Sequence, residues 1–504
     1  MKTAAARGLS LQQTREALVK YFLGIDVGTQ GARCIVADEQ GSLAASASRP
    51  FSSPANVARN PGWHEQDPQQ WWQATVACIN QVVSQLGKNG VSSDRIVALS
   101  VDSTSGTILP IDAAGRPLRS AIMYNDARAE AEAEEINSVA VEHCRQHGYR
   151  FSSSYALAKI LWIKNHEPRI FEQAHRFIHA TDYIMGRLTG DFATTDLSSA
   201  LKTGCNLFQS AWPRFIPSRL GIPLEKLPDL VKPGRLIANL CLACTEATGL
   251  SLRTKAVAGV SDGTAGFLSS GASQVGDFNS TLGTTLVIKG ISEKILIDPE
   301  GRLYSHRHPS GYWLPGGASN VGGECLAHQF AGRNFPELDK QAIGISPTGL
   351  LAYPLERTGE RFPFAKKDAT GFLIGDPRDE TERYAALLEG VAHVERMCYD
   401  LLAELGVSIN DRIFATGGGS KSCEWMQIRA DILGRPLLRP QVAESAFGCC
   451  LLAASHSAYP SLTSATQAMV HFAEEIGPRP DRAQAYADQH GAFISECRKR
   501  GYIR

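Results

Sequence analysis

Two aspartates, each close to glycines, are the side chains of this sequence best suited to phosphate chemistry. Asp26 precedes a turn with glycines at positions 28 and 31, and Asp262 is followed by glycines at positions 263 and 266. Glycines leave backbone N–H groups bare, and such groups bind phosphate oxygens. Two more glycine loops follow, Ser280–Thr285 and Thr416–Ser420. Four such loops in one chain predict a nucleotide site built from two lobes.

The turn at 28–31 joins two predicted strands, and no Gly-x-x-x-x-Gly-Lys-Ser/Thr segment occurs in the chain. The pattern therefore excludes a P-loop enzyme. Phosphate would instead be held by backbone N–H groups, the Thr29 hydroxyl and the Gln30 amide, with charge supplied by Arg33. Taken alone, the segment is more typical of a hairpin turn in which Asp26 only caps a neighbouring group.

Asp262 follows the apolar strand Lys255–Val260 and opens a helical run. A carboxylate in that place could accept the proton of a substrate hydroxyl while a phosphoryl group is transferred. A helix N-cap formed by Ser261 or Asp262 explains the same residues equally well.

Two polar segments offer groups that fit a sugar. Val101–Thr107 has several short hydroxyl side chains, and Tyr124–Arg128 combines an aromatic ring with amide, carboxylate and guanidinium groups. A capped turn and a helix start are the competing interpretations. His306 and His308 could share a strand face as metal ligands, but no third ligand accompanies them, so a surface strand is the expected structure.

The composition restricts the remaining classes. A chain of 504 residues is too long for one hydrophobic core, so two or three domains are expected. Lys plus Arg and Asp plus Glu both number 51, which gives no reason to expect a nucleic-acid or membrane partner. No apolar run reaches the roughly 18 residues of a membrane helix, and residues 1–20 lack the apolar core of a secretory signal. The 12 scattered cysteines are typical of reduced thiols in the cytoplasm.

Strand and helix signals give the domain organisation. A meander of strands begins at Tyr21, and a helix capped by Asp67 follows, with Pro68 at its first position. Another helix is predicted at 181–188, with Thr181 as its cap. A second meander turns at Gly283 and Thr284, which suggests a duplicated domain. We expect an extension at 1–20, a first domain at 21–270 and a second at 271–504.

Taken in order, these loops resemble those of the FGGY family of carbohydrate kinases, within the actin-like sugar kinase superfamily. The resemblance covers about residues 21–455. It rests on Gly24–Thr29, Tyr124–Arg128, Gly259–Gly266, Ser280–Thr284 and Gly417–Ser422, the last followed by Trp425 and Ala430–Gly434. The resemblance implies an α/β fold of two actin-like (ribonuclease H-like) domains, each with a mixed sheet flanked by helices, and a cleft between them.

The family also implies roles for particular residues. Asp262 would be the catalytic base, and Asp26 and Asp262 would lie at a magnesium ion, with Asp26 reaching it through water. The residues expected to hold ATP are Thr29, Gln30, Arg33, Gly283, Thr284, Gly418, Gly419 and Ser422. The residues expected to contact the sugar are Asp26, Thr104, Ser105, Asp126, Asp262 and Gly263.

The chain departs from the family pattern in two places. The literal Phe-Gly-Gly-Tyr string is absent, and Ser103–Gly106 stands where xylulokinases carry Gln-Met-His-Gly. Small hydroxyls there look more like the xylulokinase-like D-ribulose kinases. The expected activity is therefore phosphorylation of the primary hydroxyl of a ketopentose, D-ribulose first, with ATP and Mg²⁺. A xylulokinase, or another ketose or polyol kinase, is the alternative.

A nucleotide-driven binding protein of the actin or chaperone kind is the alternative from another class. It would keep the phosphate loops but need neither a base nor a sugar segment. We expect a cytoplasmic protein whose partners are ATP and a small sugar, with no nucleic acid and no membrane. Both a monomer and a homodimer are compatible with the sequence.

Overall fold

The computed structural model describes residues 19–52, 56–57 and 60–504. The predicted N-terminal extension, residues 1–20, therefore lies outside the described residues except for its last two positions. The strands are β1 Tyr21–Val27, β2 Gly31–Asp38, β3 Leu43–Pro50, β4 Asn56–Val57, β5 His64–Gln66, β6 Ile96–Ser103, β7 Ile108–Ile111, β8 Ala121–Ile122, β9 Arg176–His179, β10 Thr194–Asp196, β11 Asp229–Val231, β12 Leu236–Asn239, β13 Lys255–Ser261, β14 Phe278–Leu282, β15 Leu286–Gly290, β16 Tyr304–Arg307, β17 Trp313–Ala318, β18 Leu351–Tyr353, β19 Phe372–Ile374, β20 Ile413–Thr416, β21 Leu437–Pro440 and β22 Phe472–Ile476.

The helices surround these strands. The α-helices are Pro68–Lys88, Glu130–Val139, Val141–His147, Ala156–His166, Pro168–Gln173, Ala180–Thr189, Leu197–Ala200, Phe215–Arg219, Leu242–Thr248, Asp262–Leu268, Glu324–Gln329, Phe335–Ile345, Glu380–Glu404, Cys423–Leu433, Ser445–Ser457, Leu462–Met469 and Ala483–Lys499. Within the described ranges, no helix is both long and apolar enough to cross a bilayer.

The first half of the chain forms a six-stranded sheet in the order β12-β13-β6-β1-β2-β3. Strands β1, β2 and β3 are an antiparallel meander, as predicted, and β6 and β13 run parallel to β1. The helix Pro68–Lys88 begins with Pro68 and is capped by the Asp67 side chain, also as predicted. Its apolar residues, including Trp71 and Ile79, pack on this sheet in one buried core.

The second half repeats the same strand arrangement. The seven-stranded sheet has the order β16-β17-β15-β14-β20-β21-β22, again with an antiparallel meander, two parallel strands and an antiparallel strand beyond them. The turns before β2 and β15 hold equivalent places in the two sheets. The repeat of a Gly-Thr turn in the sequence thus corresponds to a repeated architecture.

A smaller sheet, β4-β5-β8-β7-β9, extends the first half beyond the duplicated core. It packs with neighbouring helices into a separate apolar cluster that includes Ile108, Ile122 and Phe177. The sheet leads into the helix Ala180–Thr189. The sequence predicts the cap of that helix at Thr181, which is wrong, because His179 is the N-cap and its backbone N–H donates to the Asp182 carboxylate at 2.9 Å.

The helix Ser445–Ser457 comes from the second half but packs on the first sheet. Gly24 of β1 allows the approach, since a Cβ there would lie 1.7 Å from the Ala446 carbonyl oxygen. The surrounding apolar cluster joins Phe22 and Val257 of the first sheet to Phe414 and Leu438 of the second. Because of this shared core, a domain boundary near residue 270 remains a prediction.

Candidate active site

Three carboxylates meet at one edge of the first sheet because three parallel strands end there. Asp26, near the end of β1, lies opposite Asp102 of β6, and Asp102 lies opposite Val260 of β13, two residues before Asp262. Asp102 is fully buried and Asp26 is 6% exposed. The Cys449 thiol of the helix Ser445–Ser457 donates to Asp102 Oδ2 at 3.2 Å. Burial first, and then the charge of Asp26, raises the pKa of Asp102 well above its usual value.

Asp262 opens the helix Asp262–Leu268 and is half-buried. Ser261 is the N-cap residue of this helix, as the N-cap alternative allows, but its side chain makes no cap hydrogen bond. The Gly263 N–H donates to Asp262 Oδ1 at 2.6 Å. Burial raises the pKa of Asp262 to about 6, with a smaller contribution from Asp26, while Gly263, Lys289 and Lys202 act in the opposite direction. Such a carboxylate can accept a proton near neutral pH.

The first glycine loop is the hairpin turn between β1 and β2. The Gly28 N–H donates to the Gly31 carbonyl at 3.0 Å, and the Thr29 hydroxyl lies 3.4 Å from the Tyr124 hydroxyl. Arg33 pairs with Asp26 at 3.1 Å, and its side chain is 57% exposed. A cavity of about 500 Å³ is lined by this turn, Gln30, Arg33 and Tyr124. The structure therefore brings the predicted residues Thr29, Gln30 and Arg33 to one cavity.

The remaining predicted nucleotide residues line a second cavity of about 670 Å³. Its walls include Gly283, Thr284, Gly418, Gly419 and Ser422. Residues 418–420 form one turn of 3₁₀ helix, and Ser422 caps the helix Cys423–Leu433 through the Trp425 N–H. Gly417 has a φ of 86°, and a Cβ there would lie 2.5 Å from the Leu282 carbonyl oxygen. Only glycine lets this loop pass so close to β14.

The larger cavity has an apolar wall and a buried acid. The apolar wall offers a flat or branched surface suited to the ring of a nucleotide base, and it consists of Leu326, Phe335, Pro336 and Trp425. Asp339 also lines the cavity and accepts a hydrogen bond from the Tyr384 hydroxyl at 2.7 Å. Burial raises the pKa of Asp339.

The short hydroxyls of the predicted sugar segment follow β6. Thr104 is 7% exposed, and its hydroxyl lies 2.9 Å from that of Thr107. Ser103 is paired with Thr181 at 2.6 Å. The Ser105 hydroxyl is buried and has no partner among the described residues. Of these hydroxyls, that of Ser105 is the one left to bind a ligand.

Asp126 is held by other protein groups. It is 1% exposed, and its oxygens accept from Arg128 at 2.7 and 2.9 Å and from the His64 N–H at 2.6 Å. Arg128 in turn pairs with Glu65 and lies 3.9 Å from the ring centre of Trp63. These contacts indicate that Asp126 positions Arg128 and the start of β5, which differs from the predicted direct sugar contact.

Within the described ranges, no group of three or more His, Cys, Asp or Glu side chains is arranged to hold a metal ion. A pair of carboxylates, Asp26 and Asp262, could hold a divalent cation that keeps most of its water shell. Both lie beside Asp102, whose buried Oδ1 has no hydrogen-bond partner among the described residues. Mg²⁺ is usually bound by one or two carboxylates together with water and phosphate. His306 and His308 are 7% and 3% exposed, so the predicted surface strand is wrong, and neither forms a metal cluster in that part of the chain.

Sequence reasoning did not assign several residues of this site. Asp102 was grouped with the polyol hydroxyls, although it ends a buried parallel strand just as Asp26 does, and that common position was the available signal. Gly322 and Gly323 pack on the glycine loop Ser280–Thr285, where the Gly323 N–H donates to the Gly283 carbonyl at 2.8 Å. Lys202 and Lys289 also reach the site. Nothing in the local sequence around these two lysines marks them.

Two models of one known protein family match this chain. The model of the FGGY family of carbohydrate kinases, N-terminal domain, matches residues 21–269, and the model of its C-terminal domain matches residues 278–457. The chain therefore belongs to the FGGY family of carbohydrate kinases, which makes it an enzyme. The alternative of a nucleotide-driven binding protein without sugar chemistry is accordingly set aside.

Individual relatives are distant but extend over nearly the whole chain. The xylulose kinase of Bacillus subtilis (strain 168) is 26% identical over 480 residues, which cover 93% of this chain and 95% of that protein. The gluconokinase of the same strain is 27% identical over 505 residues, with 95% and 96% covered. The solved xylulose kinase of Rhodospirillum rubrum superposes with a TM-score of 0.84 at 26% identity, covering 95% of this chain and 99% of that one. This likeness confirms the predicted fold of two actin-like α/β domains.

Proposed function

We propose that this sugar kinase transfers the γ-phosphoryl group of ATP to the primary hydroxyl of a ketopentose, and that the ketopentose is D-ribulose. The observation that carries the proposal is the convergence of Asp26, Asp102 and Asp262 at the sheet edge that also bears the first glycine loop. The second loop and the 670 Å³ cavity supply room for the nucleotide.

Asp262 acts as the base in this proposal. Its carboxylate accepts the proton of the acceptor hydroxyl as the oxygen forms a bond to the γ-phosphorus. The bond from that phosphorus to the β–γ bridging oxygen breaks, and ADP leaves with the electron pair. The raised pKa of Asp262, about 6, leaves most of the group unprotonated at neutral pH while keeping it basic enough to accept a proton.

Asp26 and Asp262 are the residues that would hold Mg²⁺, with Asp26 contacting it through water. The bound ion would neutralise charge on the phosphate oxygens. Arg33, paired with Asp26 at 3.1 Å, holds that carboxylate in place. Thr29, Gln30, Gly283 and Thr284 would bind phosphates, and Gly418, Gly419 and Ser422 would border the adenosine. Asp339, which lines the 670 Å³ cavity, would face the adenine ring of the nucleotide.

The acceptor is argued from the hydroxyls after β6. Ser105 has a buried hydroxyl that finds no partner in the described part of the chain, and Thr104 adds a short side chain, where xylulokinases carry an imidazole. A shorter side chain reshapes the pocket near the middle hydroxyls of the ketose, and the configuration at C3 separates ribulose from xylulose. Relatives named xylulose kinase and gluconokinase support the coarser conclusion that the acceptor is a sugar.

An acceptor panel tests the proposal. ADP formation with D-ribulose, D-xylulose, D-gluconate and glycerol, read by a coupled assay, should give the highest kcat/KM for D-ribulose, with D-xylulose second. Ser105→Ala should lower kcat/KM for D-ribulose by about 5- to 150-fold, because an unpaired buried polar group costs about 1–3 kcal/mol. The KM for ATP should change much less. A clear preference for D-xylulose, or unchanged turnover in Ser105→Ala, would refute the choice of sugar.

We also propose a cytoplasmic location. All twelve cysteines lie in the described residues and none forms a disulfide. Free thiols in such number support a reducing compartment.

A further inference from the structure

A pair of lysines, Lys202 and Lys289, lies beside Asp262. Lys289 is on β15, and its ammonium group donates to the Gly263 carbonyl at 3.1 Å. Thr285 lies four positions before it in the chain, which is about 13 Å along a strand. Lys289 is thus adjacent to the proposed base but remote from the loop that would hold the nucleotide phosphates.

Lys202 reaches the same place from the first half of the chain. It lies in the turn of 3₁₀ helix Leu201–Thr203, with its ammonium group 4.0 Å from the ring centre of Tyr155 and 5.3 Å from that of Tyr304. Its Cγ would be 3.7 Å from a Cβ placed on Gly106, at the end of the short-hydroxyl segment. Lys202 therefore lies between the predicted sugar segment and the second half of the molecule.

Tyr304 connects the two lysines. Gly316 of β17 lies opposite Lys289 of β15 on one side and opposite Tyr304 of β16 on the other. Lys289, Gly316 and Tyr304 therefore share one face of the sheet. Gly316 has no side chain to separate its neighbours. Lys202 first, and also Lys289, lowers the pKa of the Tyr304 hydroxyl.

Neither ammonium group is neutralised by a direct ion pair. Among the described residues, lysine ion pairs within 4.0 Å are confined to Lys366 and Lys499, both elsewhere in the molecule. Ammonium groups only donate hydrogen bonds. Lys289 donates to the Gly263 carbonyl and Lys202 to the Tyr304 hydroxyl, but each ammonium group has three N–H donors, so donors remain on both groups for a ligand atom that accepts.

We propose that Lys202 and Lys289 bind the carbonyl oxygen of the ketose acceptor and thereby select ketoses over the corresponding alditols. The proposal rests on the proposed kinase function and adds the residues that read the keto group. A carbonyl oxygen only accepts, which matches two donors. A hydroxyl in its place brings a proton for which the two ammonium groups offer no acceptor.

Among the described residues, Asp262 is the carboxylate that lies beside the two lysines, and it offsets one of their two positive charges. A positive charge therefore remains to strengthen a hydrogen bond to a ligand oxygen. A hydrogen bond from a charged donor to a neutral carbonyl remains stronger than one between neutral groups.

The test compares D-ribulose with ribitol, which differs from it only by reduction at C2. We expect the parent enzyme to have a kcat/KM at least tenfold higher for D-ribulose. Lys202→Met and Lys289→Met, on two different elements, should each reduce the ketose-to-alditol ratio at least tenfold. Lys202→Arg, which keeps a charged donor, should retain most of the ratio. Lys499→Met, on the last helix, is the matched control and should leave the ratio as in the parent.

The outcomes separate this inference from the kinase proposal. Equal losses on both acceptors in folded Lys202→Met and Lys289→Met proteins would mean a structural role and overturn the inference alone. A higher kcat/KM for D-ribonate than for D-ribulose would show a site for an anion and also overturn it. Failure of the parent to phosphorylate any acceptor, with ATP hydrolysed equally without sugar, would overturn the kinase proposal and this inference with it.

Discussion

In the proposed mechanism, the chemistry of this kinase depends most on the position of one carboxylate. Asp262 is the first residue of the helix Asp262–Leu268, and burial raises its pKa to about 6. Its neighbours act in opposite directions, since Asp26 disfavours its ionisation and Lys289 and Lys202 favour it. With a pKa of about 6, the carboxylate proposed as the base is mostly ionised at neutral pH.

The raised pKa predicts a pH profile. Below about pH 6 Asp262 is protonated and cannot accept the hydroxyl proton, so kcat/KM for the sugar should rise with pH through an apparent pKa of about 6 and then level off. Lys289→Met removes a cation that stabilises the carboxylate, so the rise should move to higher pH. Initial rates between pH 5 and 8 provide the measurement. A flat profile, or one that falls with pH over this range, would be inconsistent with Asp262 as the base.

Asp26 gives a second prediction at the residue scale. If it holds the water shell of Mg²⁺, Asp26→Ala should raise the magnesium concentration for half-maximal rate and lower the maximal rate. Arg33→Met, which removes the partner of Asp26 but not the carboxylate, is the control and should shift the titration less. Superimposable magnesium titrations of Asp26→Ala and parent would remove Asp26 from the metal site.

The elements of the fold were largely predictable, and the reasons are local. Proline at the first helical position and a capping aspartate define the helix Pro68–Lys88, and apolar runs define β1, β6 and β13. The glycine loops could be recognised because binding phosphate requires backbone N–H groups that no side chain covers. The packing of the helix Ser445–Ser457 on the first sheet could not be predicted, because it joins segments more than 400 residues apart.

Contacts between distant segments also explain why the sequence predicted the site only in part. Asp102 is a site residue only because β6 pairs with both β1 and β13, and such register is not visible within any one segment. Lys202 and Lys289 come together across two lobes. Asp126 could be picked out by its motif, but the motif did not show that Arg128 would occupy its oxygens.

The contact between β1 and the helix Ser445–Ser457 gives a stability prediction. Gly24→Ala places a methyl group 1.7 Å from the Ala446 carbonyl oxygen, so backbone must move, and we expect a loss of about 1–3 kcal/mol or more. Gly87→Ala is the matched control, because a Cβ there meets nothing within 4 Å and alanine favours a helix by about 0.5–1 kcal/mol. Thermal melts should show Gly24→Ala below the parent and Gly87→Ala at or above it. Equal melting temperatures for parent and Gly24→Ala would show that this contact is not tight.

At the scale of the whole molecule, two repeated sheets share one apolar core around the helix Ser445–Ser457. The residues proposed to bind one ATP molecule are divided between them, with Thr29 in the first and Gly283 and Gly418 in the second. Ligands that contact both sheets should draw the lobes together, with the shared core as the fixed part.

Small-angle scattering tests this closure. The radius of gyration should be smaller with a non-hydrolysable ATP analogue and D-ribulose together than in the free protein. The sugar alone, which contacts mainly the first lobe, should have less effect and serves as the control. An unchanged radius with both ligands at saturation would contradict a hinged cleft.

The central claim is that this molecule transfers phosphate to a sugar with Asp262 as the base. The most direct test is the D-ribulose-dependent rate of ADP formation in the parent and in Asp262→Asn. The account predicts little ADP without sugar, a large increase with D-ribulose, and a loss of about 10²–10⁴-fold in a folded Asp262→Asn protein that still binds ATP. An ADP rate independent of sugar, or near-parental turnover in Asp262→Asn, would contradict it.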